Sequence, residues 1–488
     1  MISLDTIDDD TLILIFRFLT VPDILAMRQT SKRMAEVSAL RIVWRNICIS
    51  DVLSRGYPFS RLPLNSLPDL ESLTRKAYFL GTKWLSRSPK PHTTHVFDAN
   101  PSTYIEDVTF LPGKPWLLVV SKGIWSGITA WNLEAGVSRM AEWSPKGAIF
   151  NGFAVNADPD SEATLAVSIQ DSSPRIQILS LRCHGNNTTA IFHTIATIRT
   201  RLRPIALQGD VLAFSDDVSD TIIHNLKDGT HATLRNVPVA GETAWQLDRC
   251  IQVVFAYRSV LVVRARSIHL FPEPVLSKSM PLYGALARYS FGWVDGVSAS
   301  MTPRPNPMDR SDHPCHSTNT ITILLRSESD DPWTQERHNL RFFTMKPDPL
   351  YRLAPQQDGQ PSASSSPYLF PPSLTAEVPS VHGSLRCADI KLQPYGTAVC
   401  VHPKSRSVTG LISSDVHLQE MHIPDTPPVS ERLVAAVFPG CLSRTGTGEE
   451  TKTLWINEFN DWTCLDYNEE LGRIALGSRS GSVTILEL

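Results

Sequence analysis

Arg473-Ile474-Ala475-Leu476-Gly477-Ser478-Arg479-Ser480-Gly481-Ser482-Val483-Thr484-Ile485-Leu486 is two largely apolar runs joined by a polar Ser-Gly turn. Glycine supplies the positive φ that a tight hairpin needs, so the stretch predicts two paired strands. Short runs of this kind, rich in Val, Ile, Thr and Phe, recur from about residue 93 onward and predict a barrel, sandwich or propeller. Their spacing decides among the three. Trp131-Asn132-Leu133-Glu134-Ala135-Gly136 recurs in form as His224-Asn225-Leu226-Lys227-Asp228-Gly229, with Leu179-Ser180-Leu181 between them and Ile268-His269-Leu270 after. The markers at 131, 179, 224 and 268 lie 48, 45 and 44 residues apart. A four-stranded propeller blade takes about 40 to 50. Further markers at Phe343-Thr344-Met345, at Val408-Thr409-Gly410-Leu411 and in the closing hairpin bring the expectation to about seven blades.

The closing hairpin resembles the core of a WD-type repeat, with Ser480-Gly481 standing where that family usually has Asp-Gly. The Trp-Asp dipeptide of the family survives only as Trp131-Asn132. The last blade lacks an outer strand of its own, and an open edge is a liability. Thr93-Thr94-His95-Val96-Phe97 is therefore expected to complete it. Two stretches interrupt the pattern, 301–318 and 354–380. Their Pro, Ser, Asp, His and Gln content predicts flexible surface insertions.

Upstream the periodicity changes. In Ile7-Asp8-Asp9-Asp10-Thr11-Leu12-Ile13-Leu14-Ile15-Phe16-Arg17-Phe18-Leu19, the residues Leu12, Ile15, Phe16 and Leu19 follow the spacing of one helical face. Asp8, Asp9 and Asp10 supply an N-cap and acids that suit the helix dipole. Thr20-Val21-Pro22-Asp23 predicts a variant capping box opening a second helix. Thr30 or Ser31 can cap a third, carrying Met34 and Val37, and Trp44 and Ile47 mark a fourth segment. Ile13, Leu14 and Phe18 are also apolar, so the first helix is hydrophobic on more sides than a small module can cover. A partner groove covering the second face resolves this, in helix-in-groove fashion. The alternative is a helical cap packed on the β-unit.

These residues resemble the F-box, at Ile7, Asp10, Leu12, Ile15-Phe16, Leu19, Asp23-Ile24, Arg33-Met34 and Val43-Trp44. Asp8 stands for the family's Pro, Met34 for its central Trp, and Thr30-Ser31 for its Val-Cys. The resemblance implies docking onto a small Skp-type adaptor, and through it onto cullin and RING subunits. It implies adaptor contacts at Ile7, Asp8, Leu12, Ile15, Phe16, Leu19, Pro22, Asp23, Ile24, Met34 and Trp44. The expected organisation is multi-domain: an all-α F-box module (1–50), a linker (51–92) with an amphipathic helix over 68–86, and an all-β propeller of four-stranded blades (93–488). In the linker helix Leu70, Leu73, Ala77, Leu80 and Trp84 share one face, and the helix reads as a semi-rigid spacer.

Composition excludes several classes. Hydrophobic residues at 42% and charged residues at 19% suit folded domains, and a net charge of −3 offers no global attraction to nucleic acid or anionic membrane. The acids of Met1 to Asp10 differ from the basic start of a secretory signal, and Leu12 to Leu19 is too short to span a bilayer. The eight cysteines (Cys48, Cys183, Cys250, Cys315, Cys387, Cys400, Cys441, Cys464) form no C-x-x-C pair and are expected as free thiols in a cytoplasmic or nuclear protein.

Catalytic signals are weak. Gly446-Thr447-Gly448-Glu449-Glu450-Thr451-Lys452-Thr453 has Thr451 where a phosphate loop needs glycine, and reads as a loop between blades. His313-Pro314-Cys315-His316 lacks a second ligand pair, so no metal is expected. No cofactor or catalytic residue is expected either. Trp125, Trp245, Trp293 and Trp333 fall nearest to loops and are the aromatic candidates for a binding face. The first expectation is a non-enzymatic ubiquitin-ligase recognition subunit whose propeller binds an unidentified protein target. The alternatives are a propeller scaffold outside that system, or a propeller enzyme with convergent carboxylates, His or a metal at its channel.

Overall fold

The computed structural model describes residues 7–59, 69–100, 103–134, 136–184, 189–216, 218, 220–235, 248–292, 294–303, 319–327, 339–349, 351, 366–380, 389–403, 430–444, 446 and 450–488. Helices α1 (Asp9–Phe16), α2 (Val21–Arg28), α3 (Lys32–Ser38) and α4 (Arg41–Ile47) are followed by a π-helical turn, Cys48–Leu53, and by the longer α5 (Leu70–Leu85). Each of the first three starts where its sequence caps it. Asp8 accepts from Thr11 N at 2.7 Å, Thr20 and Asp23 close a reciprocal capping box, and Ser31 accepts from Met34 N.

Seven sheets follow, each with four antiparallel meander strands of which the second, third and fourth lie progressively outward. Blades one to six take their four meander strands from 104–143, 149–199, 203–235, 250–290, 294–379 and 390–457. Blade seven combines Trp462–Asn468, Arg473–Ser478 and Ser482–Glu487 with Thr93–Asp98 from the start of the β-unit. The pairing is antiparallel, Thr93 opposite Glu487 through Asp98 opposite Ser482. The expected closure is therefore present. It hides one edge of the final hairpin, which would otherwise be open.

The repeat markers Trp131, Leu179, His224, Ile268 and Phe343 all fall on third strands. The marker at 408–411 lies outside the described residues, and the third strand of blade six is Glu431–Val437. One insertion is corrected. Within 354–380, Ser373–Pro379 is the outer strand of blade five and Tyr368 is buried, its hydroxyl accepting from Tyr257 N at 3.3 Å. A polar composition hid this strand because an outer strand faces solvent on one side. Residues 304–318 of the other insertion lie outside the described set.

One hydrophobic cluster runs through both modules. It joins Leu12, Phe16, Ile24, Met34 and Trp44 to Leu70, Leu80 and Trp84 of α5, and on to Tyr395, Leu465, Tyr467 and Ile474 of blades six and seven. The helices, too few to bury their own apolar surface, borrow it from α5 and the propeller. Arg28 binds Glu71 at the head of α5 with two nitrogens (2.6 and 3.1 Å). Trp84 at its tail packs on Tyr467, and the Tyr395 hydroxyl donates to Phe59 O at 2.9 Å. Gly81 allows the close approach here, since a Cβ at that position would lie 2.4 Å from the Tyr57 ring.

Candidate functional site

Helix α1 presents two different surfaces. Leu12 and Phe16 are buried at 1% exposure, with Ile13 and Leu19 partly buried against the same cluster. Leu14 is 57% exposed, Ile15 37% and Phe18 86%. On α4 and its cap, Leu40 and Ile42 are also exposed. Exposed acids accompany these apolar residues at the starts of α1 and α2. Asp8, Asp10 and Asp23 are exposed, and Asp9 pairs with Arg33 at 2.9 Å. Hydrogen bonds from Thr11 hold the Asp8 carboxyl below its ordinary value, and those from Thr20 do the same for Asp23. Both carboxyls are therefore ionised at neutral pH.

The expected contact residues divide accordingly. Asp8, Ile15, Pro22 and Asp23 are exposed, while Ile7 and Leu19 are partly buried. Leu12, Phe16, Ile24, Met34 and Trp44 lie in the interior, at 1% exposure or less, where they hold the helices together. Of the set Leu12, Ile15, Phe16 and Leu19, three face the shared cluster and Ile15 is exposed. Helix α1 ends at Phe16, and Phe18 N and Leu19 N bond to Ile15 O and Phe16 O, so the chain tightens before a third turn can form. Leu14 and Phe18 were absent from the expected contact set. Their signal was present all the same, as apolar residues in excess of one core face.

The helices meet the propeller at the turns that follow the first strands of blades six and seven, at Tyr395 and at Leu471-Gly472. In an antiparallel meander successive turns alternate sides, so turns 123–125, 458–461 and 479–481 lie on the opposite face. They adjoin one another: Arg479 N donates to Asp461 O at 2.9 Å, Gly481 lies against Asn100 and Thr103, and Gly123 against Thr103. Phe459 (86%), Ile124 (90%) and Trp125 (40%) are exposed there. Trp245, Trp293 and Trp333 lie outside the described residues.

The first strands of blades one, six and seven bring Asp107, Lys391 and Asp466 together beside the propeller axis. Lys391 lies 3.4 Å from Asp466, whose other oxygen accepts from Phe110 N at 2.8 Å. Burial pushes the Asp107 carboxyl up to about 7, with Lys391 opposing the shift. Burial alone would lower Lys391, but Asp466 and Asp107 outweigh it and raise it. The cation is thus matched to its carboxylates across three blades. Among the described residues no group of His, Cys, Asp or Glu could hold a metal ion, and no helix is long and apolar enough to cross a membrane. His313, Cys315 and His316 lie outside them.

Residues 9–50 match the family model described as F-box-like. The chain is an F-box-like module followed by a seven-bladed propeller. The matched residues end within the π-helical turn Cys48–Leu53. Among solved structures, the β-propeller domain of Cps50 (Swd1) from Myceliophteria thermophila is similar at 10% identity, over 81% of this chain and 100% of that one, with a TM-score of 0.47. No curated protein sequence matched. The F-box-like module thus keeps one face of α1 uncovered, on helices otherwise anchored to the propeller.

Proposed function

We propose that the chain is the substrate-recognition subunit of a cullin–RING ubiquitin ligase of the SCF type. Its F-box-like module holds a Skp-type adaptor, and the propeller holds a target protein. One observation carries this reading: Leu14, Ile15 and Phe18 stay exposed although α1 belongs to a core that reaches into the propeller. Leaving such side chains in water forgoes about 1.5–3 kcal/mol each, which a groove on a partner recovers. Exposed Pro22 and Asp23 at the start of α2, and Asp8 before α1, frame that surface. The opposite propeller face, with Phe459, Ile124 and Trp125, is the surface offered to the target. The chain contributes proximity and no reacting group, since tethering alone raises effective concentration. We propose accordingly that it is not itself an enzyme, and that Asp107, Lys391 and Asp466 join blades.

Co-purification with a Skp-type adaptor tests the reading. Leu14→Asp combined with Phe18→Asp is expected to abolish the complex while thermal unfolding of the chain stays unchanged, because both side chains are already in solvent. A double variant that still co-purifies, or a wild-type chain that never does, defeats the proposal.

A further inference from the structure

Between α5 and blade seven lies a cleft of about 440 Å³. That volume is in the range that small ligands occupy. Phe79, Leu80 and Leu471 supply its apolar lining, with Leu80 buried and Phe79 48% exposed. Lys76 and Lys83, both on α5, line it on either side of Phe79 and Leu80 in the chain. Seven helical residues rise about 10.5 Å, so the two lysines leave the helix roughly two turns apart.

The charges in this cleft do not balance. Arg473 lines it too, but its Nε is committed to Glu487 at 2.6 Å. Glu487 also accepts from the Thr93 hydroxyl at 2.9 Å, and His92 lies 3.9 Å from it. The one carboxylate side chain of the lining is therefore already engaged. Among the described residues neither Lys76 nor Lys83 makes an ion pair. Loss of water around Lys76 and the nearby Arg473 guanidinium lower it below its ordinary value, with Glu487 opposing them. Burial alone lowers Lys83, and neither lysine acts on the other. An anion at each end would relieve both.

We propose that this cleft binds an elongated ligand carrying two anionic groups about 10 Å apart across an apolar middle. One anion meets Lys76 beside Arg473, the other meets Lys83, and the middle lies on Phe79 and Leu80. A cationic ligand is repelled by three permanent cations set against a single carboxylate. Leu14, Phe18 and Phe459 do not line the cleft, so this site goes beyond both surfaces of the proposed function. Two sources carry the required chemistry. One is a free dicarboxylate. The other is an extended protein segment with acids three residues apart, which spans about 10 Å.

Calorimetric titration of the full chain tests this with sebacate, whose carboxylates match the spacing. Succinate, with carboxylates too close together, and octanoate, with one, are the controls. Sebacate is expected to bind at one site, about tenfold or more tighter than either. Lys76→Gln with Lys83→Gln is expected to remove that advantage with unchanged thermal unfolding. Lys146→Gln, at an exposed site after blade one, should keep it. A blocked Glu-Leu-Leu-Glu peptide is the second probe. Binding tighter than sebacate supports the proposal with a protein segment as the source, and weaker binding supports it with a free dicarboxylate. The proposal is overturned if neither probe binds, if succinate or octanoate binds as tightly, or if the double variant binds like the wild type. Should the double variant fail to fold, salt decides in the wild type. Sebacate affinity that falls with rising salt supports the proposal, and salt-independent affinity overturns it.

Discussion

The Thr93 hydroxyl donates to Glu487 Oε2 at 2.9 Å, joining residues 394 positions apart. Glu487 also accepts from Arg473 Nε at 2.6 Å on the neighbouring strand. Burial would raise this carboxyl, but Thr93 and Arg473 outweigh it and hold it below its ordinary value. The contact sits at the end of the strand pair that closes the ring, and α5 crosses beside it, with Leu80 packed against Gly472.

Closure makes the β-unit sensitive to single residues at the seam. Ile485 is buried at 1% and lies opposite His95. Ile485→Asp buries an unpaired charge and should cost several kcal/mol. Val96, on the partner strand, is 65% exposed, so Val96→Asp should change stability by no more than about 0.5 kcal/mol. Denaturant titration of both variants checks the contrast.

Arg326 is fully buried and bridges two blades, bonding Asp295 at 3.0 Å in blade five and Asp389 at 2.9 Å beside blade six. It also donates to Val401 O at 3.2 Å. Arg326→Ala leaves two interior carboxylates without their cation and should destabilise by about 3–5 kcal/mol. Adding Asp295→Asn and Asp389→Asn is expected to recover part of that loss in thermal unfolding.

Glu469 carries a pH dependence. It is 3% exposed and accepts from Tyr395 N at 3.1 Å and from the Thr397 hydroxyl, and burial pushes its carboxyl from 4.5 up to about 8. The folded chain keeps a proton there that the unfolded chain releases. Its stabilising contribution is therefore complete below about pH 4.5 and is lost as pH rises through about 8. Glu469→Gln preserves the shape, with an amide oxygen for Tyr395 N and an NH₂ for Thr397. It should flatten the decline in stability across that window, measured by unfolding at a series of pH values.

Two phenylalanines, one ending α1 and one just beyond it, should behave oppositely. Phe16→Ala opens a cavity in the shared core and should cost about 3–5 kcal/mol. Phe18→Ala, at 86% exposure, should leave stability within about 0.5 kcal/mol. Under the proposed function it should nevertheless weaken adaptor capture in a binding assay.

Much of this was legible in the residues. The caps Asp8, Thr20 and Ser31, the hairpin at Ser480-Gly481 and the blade markers at Trp131, Leu179, His224, Ile268 and Phe343 are all local signals, since each depends on a few neighbouring side chains and a backbone preference. The outer strand Ser373–Pro379 was missed because half-exposed strands lack a strong hydrophobic signature. The α1 surface was only half legible: apolar excess announces an uncovered face, but periodicity alone cannot say which residues form it once a helix ends after two turns.

What the sequence determined by itself was the pair of modules, the blade period and the presence of an unmatched apolar surface. Tertiary structure decided which side chains occupy it, turning Phe16 and Trp44 inward and Phe18 outward. It also fused the helices to blades six and seven through α5, and placed Thr93 on Glu487. The reason is that local propensity and spacing act over a few residues. Burial depends on which distant segments arrive at the same place, and that is set only when the ring closes.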